Sequence, residues 1–213
     1  MEITQYAELN KGQLAAERDP FTYKRYVQFY RYFDSADRAV LDIGCNTGRG
    51  GQILKEVNPQ LQITGLDVVP ERLDKIPGGL YERLILSSAD DIDVPDNTFD
   101  DIVAGEVIEH IDPADVQNVL TELLRVLKPG GRVMLTTPNP KAFLVLMGRD
   151  AVLKDPSHIC IMRPGELKKR LQDAGFDRIR IKGSGKMSNY LPDYFPIMGV
   201  FGSYLAIAHK PGK

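Results

Sequence analysis

Two short stretches hold the residue types that could do chemistry. In "GEVIEHI", residues 105–111, two carboxylates and an imidazole (Glu106, Glu109 and His110) fall within five positions. A second imidazole, His158, follows later. Histidine titrates nearest to neutral pH, so this set could take a proton from a reacting acceptor. The third and last histidine, His209, stands beside Lys210 and Pro211 and is expected at the surface. The other stretch is "VLDIGCNTGRGG", residues 40–51, a glycine loop between an apolar run and a helical pattern. Free backbone N–H groups and the positive end of a helix meet at such a loop, which suits it to hold a ligand.

The spacing of the loop bears on which ligand that is. A pyrophosphate is cradled by G-x-G-x-x-G, but here Cys45, Asn46 and Thr47 separate Gly44 from Gly48. Asp42, two residues before Gly44, would oppose a phosphate, whereas it could serve a cation through ordered water or amine contacts. S-adenosylmethionine, with an ammonium, a sulfonium and no phosphate, has that charge distribution. Asn46 stands where glycine might be expected, and asparagine tolerates the left-handed conformation. Asp67 lies 23 positions after Gly44, close to the roughly 20 at which an acidic side chain meets ribose hydroxyls. The bland alternative is a tight strand-to-helix turn that binds nothing.

The elements that must position these residues follow from periodicity. "RAVLDI", "LQITGLD", "ERLILSS", "DDIVAGEV" and "RVMLTTP" read as strands, with helices in "GRGGQILKEV", "PERLDKI" and "PADVQNVLTELLRVL", the last closed by Lys128-Pro129-Gly130-Gly131. "PGELKKRLQDAGF" is a further helix, and "DRIRIKG" and "SYLAIAHK" are a closing pair of strands. Strands alternating with helices imply a mostly parallel, doubly wound sheet of seven strands with helices on both faces and an antiparallel final strand. Residues 1–213 read as one α/β domain. Residues 1–36 form an N-terminal helical cap, with Tyr23, Tyr26, Tyr30 and Phe33 on one side of a helix over 13–33. That stripe either packs on the sheet or caps an acceptor pocket. Residues 138–163 are too long for an ordinary connection and are expected to be a lid or substrate-side insertion. Its apolar run, Phe143 to Met147, could line an acceptor site or be buried in the core or a dimer interface.

The 213 residues are 43% hydrophobic and 26% charged, an ordinary globular composition. With 27 basic against 29 acidic residues there is no broad basic field for a nucleic-acid backbone, which favours a small-molecule partner. No apolar run reaches the roughly 20 residues of a membrane span. Two cysteines, Cys45 and Cys160, and an N-terminus without a secretory pattern suit a reducing cytoplasm.

Four blocks in order, "VLDIGCNTG", "ITGLDVVPERL", "SSADDIDVPDNTFDDIVAGEVIEHIDP" and "LLRVLKPGGRVMLTTPNP", resemble the class I S-adenosylmethionine-dependent methyltransferases, in particular the small-molecule branch with a Rossmann-like sheet. They cover about residues 38 to 140, with a weaker echo in "SHICIMRPGELKKRLQDAGF". The resemblance implies that Asp42, Gly44, Cys45 and Gly48 surround the methionine part of the cofactor, that Asp67 binds its ribose, and that Asn46 and Val68 also belong to the cofactor-binding set. It also implies that Ala89 and Asp90 flank adenine and that Gly105 and Glu106 pass beneath the sulfonium. Ser88 stands where an acidic residue is common, and Asp90 or Asp91 could supply that carboxylate.

The E-x-x-E-H spacing is similar to that of ubiquinone-pathway O-methyltransferases and of small-RNA 2′-O-methyltransferases, some of which hold a divalent metal. Glu106, Glu109, His110 and His158 would match such a site, where a cation would act as a Lewis acid on the acceptor hydroxyl. Two readings stand beside it. His110 or His158, with Glu109, could serve as a metal-free general base, or the pair could only shape the loop. The activity implied is methyl transfer from S-adenosylmethionine to a small molecule, at oxygen. Its rivals are metal-assisted RNA 2′-O-methylation, a nucleotide-dependent oxidoreductase and a cofactor-binding module without catalysis.

Overall fold

The computed structural model describes residues 2–11, 21–34 and 39–212. The helical expectation for residues 13–20, 35 and 36 lies outside them. Among the described residues two helices precede the sheet, α1 (Ile3–Lys11) and α2 (Thr22–Tyr30). The chain then runs through β1 (Ala39–Ile43), α3 (Arg49–Val57), β2 (Gln62–Asp67), α4 (Pro70–Leu73), β3 (Arg83–Leu86) and β4 (Phe99–Gly105). After a short 3-10 turn at Ile108–His110 come α5 (Val116–Val126), β5 (Leu127–Pro138), α6 (Phe143–Leu146), α7 (Pro164–Asp173), β6 (Asp177–Ser184) and β7 (Ser203–His209).

The seven strands form one sheet in the order β3-β2-β1-β4-β5-β7-β6. The first five are parallel, and β7 runs antiparallel between β5 and β6. This is the expected Rossmann-like, mostly parallel sheet. The strand order reverses between β1 and β4, where a crevice opens beyond the carboxyl ends of the strands.

Alternation along each strand divides the core into two layers. Leu41 and Ile43 of β1 with Ile102 and Ala104 of β4 pack beneath α5 and α7, which contribute Val116, Leu120, Leu123, Leu167 and Leu171. Val40, Ile63 and Val103 face the opposite layer, where Tyr26 and Phe29 of α2 meet Ile53 and Leu54 of α3. The buried positions of α5, Val116, Val119, Leu120, Leu123 and Val126, recur at helical spacing, as an apolar stripe must.

Local sequence sets the ends. Pro70 takes the first turn of α4, where its missing N–H costs nothing. The segment Lys128–Gly131, expected to close a helix, instead lies within β5. Gly130 adopts φ +80°, and the register against β4 shifts between Phe99 and Asp101. His209, expected at the surface, is half-buried, in register with Arg132 and Asp177.

Candidate functional site

Ile43, Asp67 and Gly105 end three adjacent parallel strands, and the loops that follow them wall a cleft of about 740 Å³, counting the part open to solvent. The β1 loop enters it through Gly44 and Asn46. Gly44 has φ +68°, and a β-carbon there would stand 2.6 Å from Cγ2 of Val107. Glycine therefore lets the loops after β1 and β4 touch. Asn46 adopts φ +51°, the left-handed conformation expected of it. Its N–H donates to Oδ2 of Asp67 at 2.9 Å, while the Val69 N–H donates to Oδ1 at 2.9 Å. Asp67 is thereby fixed at the cleft wall, with Arg72 3.9 Å from Oδ1.

Of the residues expected around the cofactor, Gly44, Asn46, Asp67, Val68, Ala89, Asp90, Gly105 and Glu106 line the cleft. Ser88 lines it too and donates a hydrogen bond to Asp90, so the carboxylate looked for near Ser88 is present on Asp90. Asp42, Cys45 and Gly48 do not line it. Strand alternation is the reason for Asp42: it shares the face of Val40 and points under α2 and α3. There it is fully buried, with Oδ1 accepting from the Tyr26 hydroxyl and Oδ2 from the Tyr81 hydroxyl, each at 2.7 Å. Burial outweighs these bonds and raises its pKa to about 6. Asp42, expected to serve a cation through ordered water or amine contacts, thus lies beneath the loop and not on the cleft wall. Cys45 is buried among the side chains of that layer, and burial pushes its thiol pKa up. A β-carbon on Gly48 would abut Leu80 and Ile76, on the side of the loop away from the cleft.

Two wall residues come from a helix whose role the sequence reading missed. Tyr6 and Asn10, one turn apart on α1, line the cleft. The Tyr6 hydroxyl donates to Asp115 at 2.7 Å and accepts from the Asp112 N–H at 3.0 Å, and Arg72 donates to the Asn10 carbonyl. Their i, i+4 spacing was the available signal, but nothing local says that a cleft lies opposite.

The far wall holds the acidic and imidazole groups. Glu106, at φ +57°, turns into the cleft and lies 3.6 Å from Arg25 of α2. His110 lines the same wall, while Glu109 and His158 stand behind it. Candidate ligand atoms of Glu109, His110 and His158 lie within 4.8 Å of one another. Glu106 is not in that group, which corrects the four-residue set to three. Arg25, from α2, and the left-handed turn at Glu106 set its side chain apart from the other three.

The insertion closes on this trio from behind. The Cys160 N–H donates to the Glu109 carbonyl at 2.9 Å, and Nδ1 of His110 lies 2.9 Å from the Ser157 carbonyl. A carbonyl only accepts, so Nδ1 carries the hydrogen and Nε2 holds the lone pair. Burial, with His158 adjacent, lowers the His110 pKa to about 4, so the ring is neutral at pH 7. Both carboxylate oxygens of Glu109 and Nδ1 of His158 are buried without a hydrogen-bond partner. Burial, then Glu106, raises the Glu109 pKa. Buried polar atoms without partners are costly, and three in one place have the chemistry of ligands to a cation. One carboxylate with two imidazoles suits a divalent transition ion better than magnesium.

Comparison with known proteins places the chain. A family model described as a methyltransferase domain matches residues 15–181. A protein of Mycolicibacterium smegmatis named "Probable S-adenosylmethionine-dependent methyltransferase" is 32% identical over 144 residues, 67% of this chain and 53% of that protein. A "Ubiquinone biosynthesis O-methyltransferase" of Xanthomonas euvesicatoria is 31% identical over 164 residues, 70% of this chain and 66% of that one. The chain thus spans between about half and two thirds of the length of these relatives. A crystal structure of a SAM-dependent methyltransferase from Archaeoglobus fulgidus superposes with TM-score 0.70 at 21% identity, covering 97% of this chain and 99% of that chain, and shares its fold. The chain belongs to the methyltransferase domain family, whose cofactor is S-adenosylmethionine.

Proposed function

We propose that this chain transfers a methyl group from S-adenosylmethionine to an oxygen of a small-molecule acceptor. One observation carries the reading: a single cleft joins Asp67 at one wall to Glu106 and His110 at the other. When bound, S-adenosylmethionine supplies an activated methyl on a sulfonium. Asp67, held by two backbone N–H groups, keeps a lone pair on each oxygen for ribose hydroxyls. Gly44 and Asn46 would hold the methionine part, Val68 the ribose side and Ala89 and Asp90 the adenine, with Gly105 and Glu106 toward the reacting end. Glu106 offers a negative charge beside a cationic centre. Displacement of this kind is in line, so the chain's task is alignment and removal of the acceptor proton.

His110 is neutral and presents Nε2. With a pKa near 4 it is a weak proton acceptor at pH 7, and its geometry, with Nδ1–H on a carbonyl, is that of an imidazole ready to ligate. Glu109, His110 and His158 would hold a divalent cation, which would lower the pKa of an acceptor hydroxyl. Residues 138–163 are the acceptor-side insertion in this reading. The name of the Xanthomonas relative supports transfer to oxygen in a small molecule. Calorimetry with S-adenosylhomocysteine tests the cofactor half, with Asp67→Ala and NAD as controls. Saturable binding that weakens about 10- to 100-fold in the variant is expected, from the loss of hydrogen bonds to a charged group. Preference for NAD would overturn the reading. Labelled methyl transfer to hydroxylated small molecules, with and without manganese, then tests the acceptor half.

A further inference from the structure

Eight of the thirteen exposed large apolar side chains among the described residues fall in two connections, the other five being Leu9, Tyr23, Val57, Leu84 and Leu86. Among the described residues, Phe143, Leu144, Leu146, Met147 and Val152 lie in one connection, and Tyr190, Tyr194 and Ile197 in another. Leu146 is 69% exposed, Met147 77%, Tyr190 73% and Tyr194 72%. Both connections leave the sheet at one point, because Ser203 pairs with Pro138 on one side and Ser184 on the other. They touch as well: the ring of Phe143 lies on Gly199, where a β-carbon would stand 2.5 Å from it. Exposed apolar surface gathered in this way marks a contact with something.

The charges around it say what. Residues 141–155 and 182–197 carry five cations (Lys141, Arg149, Lys154, Lys182 and Lys186) against three carboxylates (Asp150, Asp155 and Asp193), in a chain whose net charge is −2. The carboxylates are engaged: Asp150 by Lys154 at 3.1 Å, Asp155 by Ser157, and Asp193 by Tyr32 at 2.6 Å and Gln28. Lys141, Arg149 and Lys186 are exposed and form no ion pair among the described residues. Lys182 stands over the Tyr194 ring, 5.6 Å from its centroid. Aliphatic tips, tyrosines and unpaired cations in one place are the chemistry of a segment lying in a bilayer interface with anionic headgroups. No helix among the described residues is long and apolar enough to cross a membrane, so contact through this surface would be peripheral.

We propose that the surface formed by residues 141–155 and 182–197 docks this protein on anionic lipid bilayers. Sedimentation with vesicles of phosphatidylcholine, alone or mixed with phosphatidylglycerol, tests it. Binding to the mixed vesicles, weakened by salt and much reduced on phosphatidylcholine alone, is expected. Lys141→Gln/Arg149→Gln should lose about 25-fold in partitioning, about fivefold for each charge near the surface. Leu146→Ser/Met147→Ser should lose at least about tenfold. None of these side chains lines the cofactor cleft, so circular dichroism and affinity for S-adenosylhomocysteine should be unchanged in both variants and certify their fold. Equal binding to both vesicle types, no binding, or variants that bind like wild type would overturn the proposal. So would a wild-type dimer in analytical ultracentrifugation that the serine variant dissolves, since a second copy would then cover the surface.

Discussion

The clasp on Asp42 gives a sharp test of how the glycine loop is supported. Asp42 is fully buried and its pKa stands at about 6 against an ordinary 3.8, raised by burial and opposed by the Tyr26 and Tyr81 hydroxyls. Because the folded value lies above the unfolded one, the folded state holds this proton more tightly. The associated stability is present below pH 3.8 and is lost as pH rises through 6. Two pKa units correspond to about 3 kcal/mol. In Tyr81→Phe the carboxylate loses one of its two donors. A hydrogen bond to a charged group contributes about 1.5–3 kcal/mol and one to a neutral group about 1. The penalty of Tyr81→Phe should therefore grow by about 0.5–2 kcal/mol between pH 5, where Asp42 is mostly protonated, and pH 8, where it is ionised. The Gly51 N–H, which donates to the Tyr81 hydroxyl at 3.1 Å, loses its acceptor at both pH values and adds only a constant. Urea unfolding followed by circular dichroism at the two pH values measures this, and repeating it on Asp42→Asn isolates the carboxylate. Equal penalties at pH 5 and 8, or a pH dependence that survives in the Asp42→Asn background, would refute the reasoning.

Other outcomes follow from the same geometry. Gly44→Ala, which forces a left-handed φ on alanine and drives its β-carbon against Val107, should destabilise the protein by about 1–3 kcal/mol in denaturant unfolding. Tyr6→Phe removes the hydroxyl that joins α1 to Asp112 and Asp115. It should weaken S-adenosylhomocysteine binding about 3- to 10-fold by calorimetry with little change in the circular dichroism of the sheet. Manganese should raise the melting temperature of wild type, and Glu109→Gln should abolish that rise; an equal rise in both would remove Glu109 from the ligand set.

What was legible in the sequence was what is local. The period of the strands, the glycine loop after β1, the left-handed Asn46 and the acid at the end of β2 are each written within a few residues of one another. They sufficed for the seven-stranded, mostly parallel sheet. The support of the loop was not legible, because Tyr26 and Tyr81 reach Asp42 from 16 and 39 positions away. The one available hint was Gly50-Gly51, where β-carbons would come within 2.0 Å of Tyr26 and 2.4 Å of Tyr81. Likewise "EVIEH" does not reveal that Glu106 parts from Glu109, since the parting depends on Arg25 from another helix. Phe143 to Met147, read as lining an acceptor site or buried in the core or a dimer interface, holds four of the exposed apolar side chains and so is not core, because α6 is a single turn.

Helix α2 has a consequence for the order of assembly. Its Gln28 side chain donates to the Gly183 carbonyl and accepts from the Ser184 hydroxyl, and Tyr32 just beyond it reaches Asp193, across separations of 155 to 161 residues. Closing loops of that size costs chain entropy before any contact compensates for it. During synthesis Tyr26 and Phe29 can settle on Val40, Ile53 and Leu54 soon after they appear, whereas Gln28 and Tyr32 must wait for Gly183, Ser184 and Asp193. The Tyr26 bond to Asp42 and the Arg25–Glu106 pair ride on the same helix, so the support of the glycine loop and the Glu106 wall of the cleft both depend on how α2 is seated. A shortened product ending before Gly183 would keep the Tyr26–Asp42 bond and lose the partners of Gln28 and Tyr32 that fix the other side of the helix.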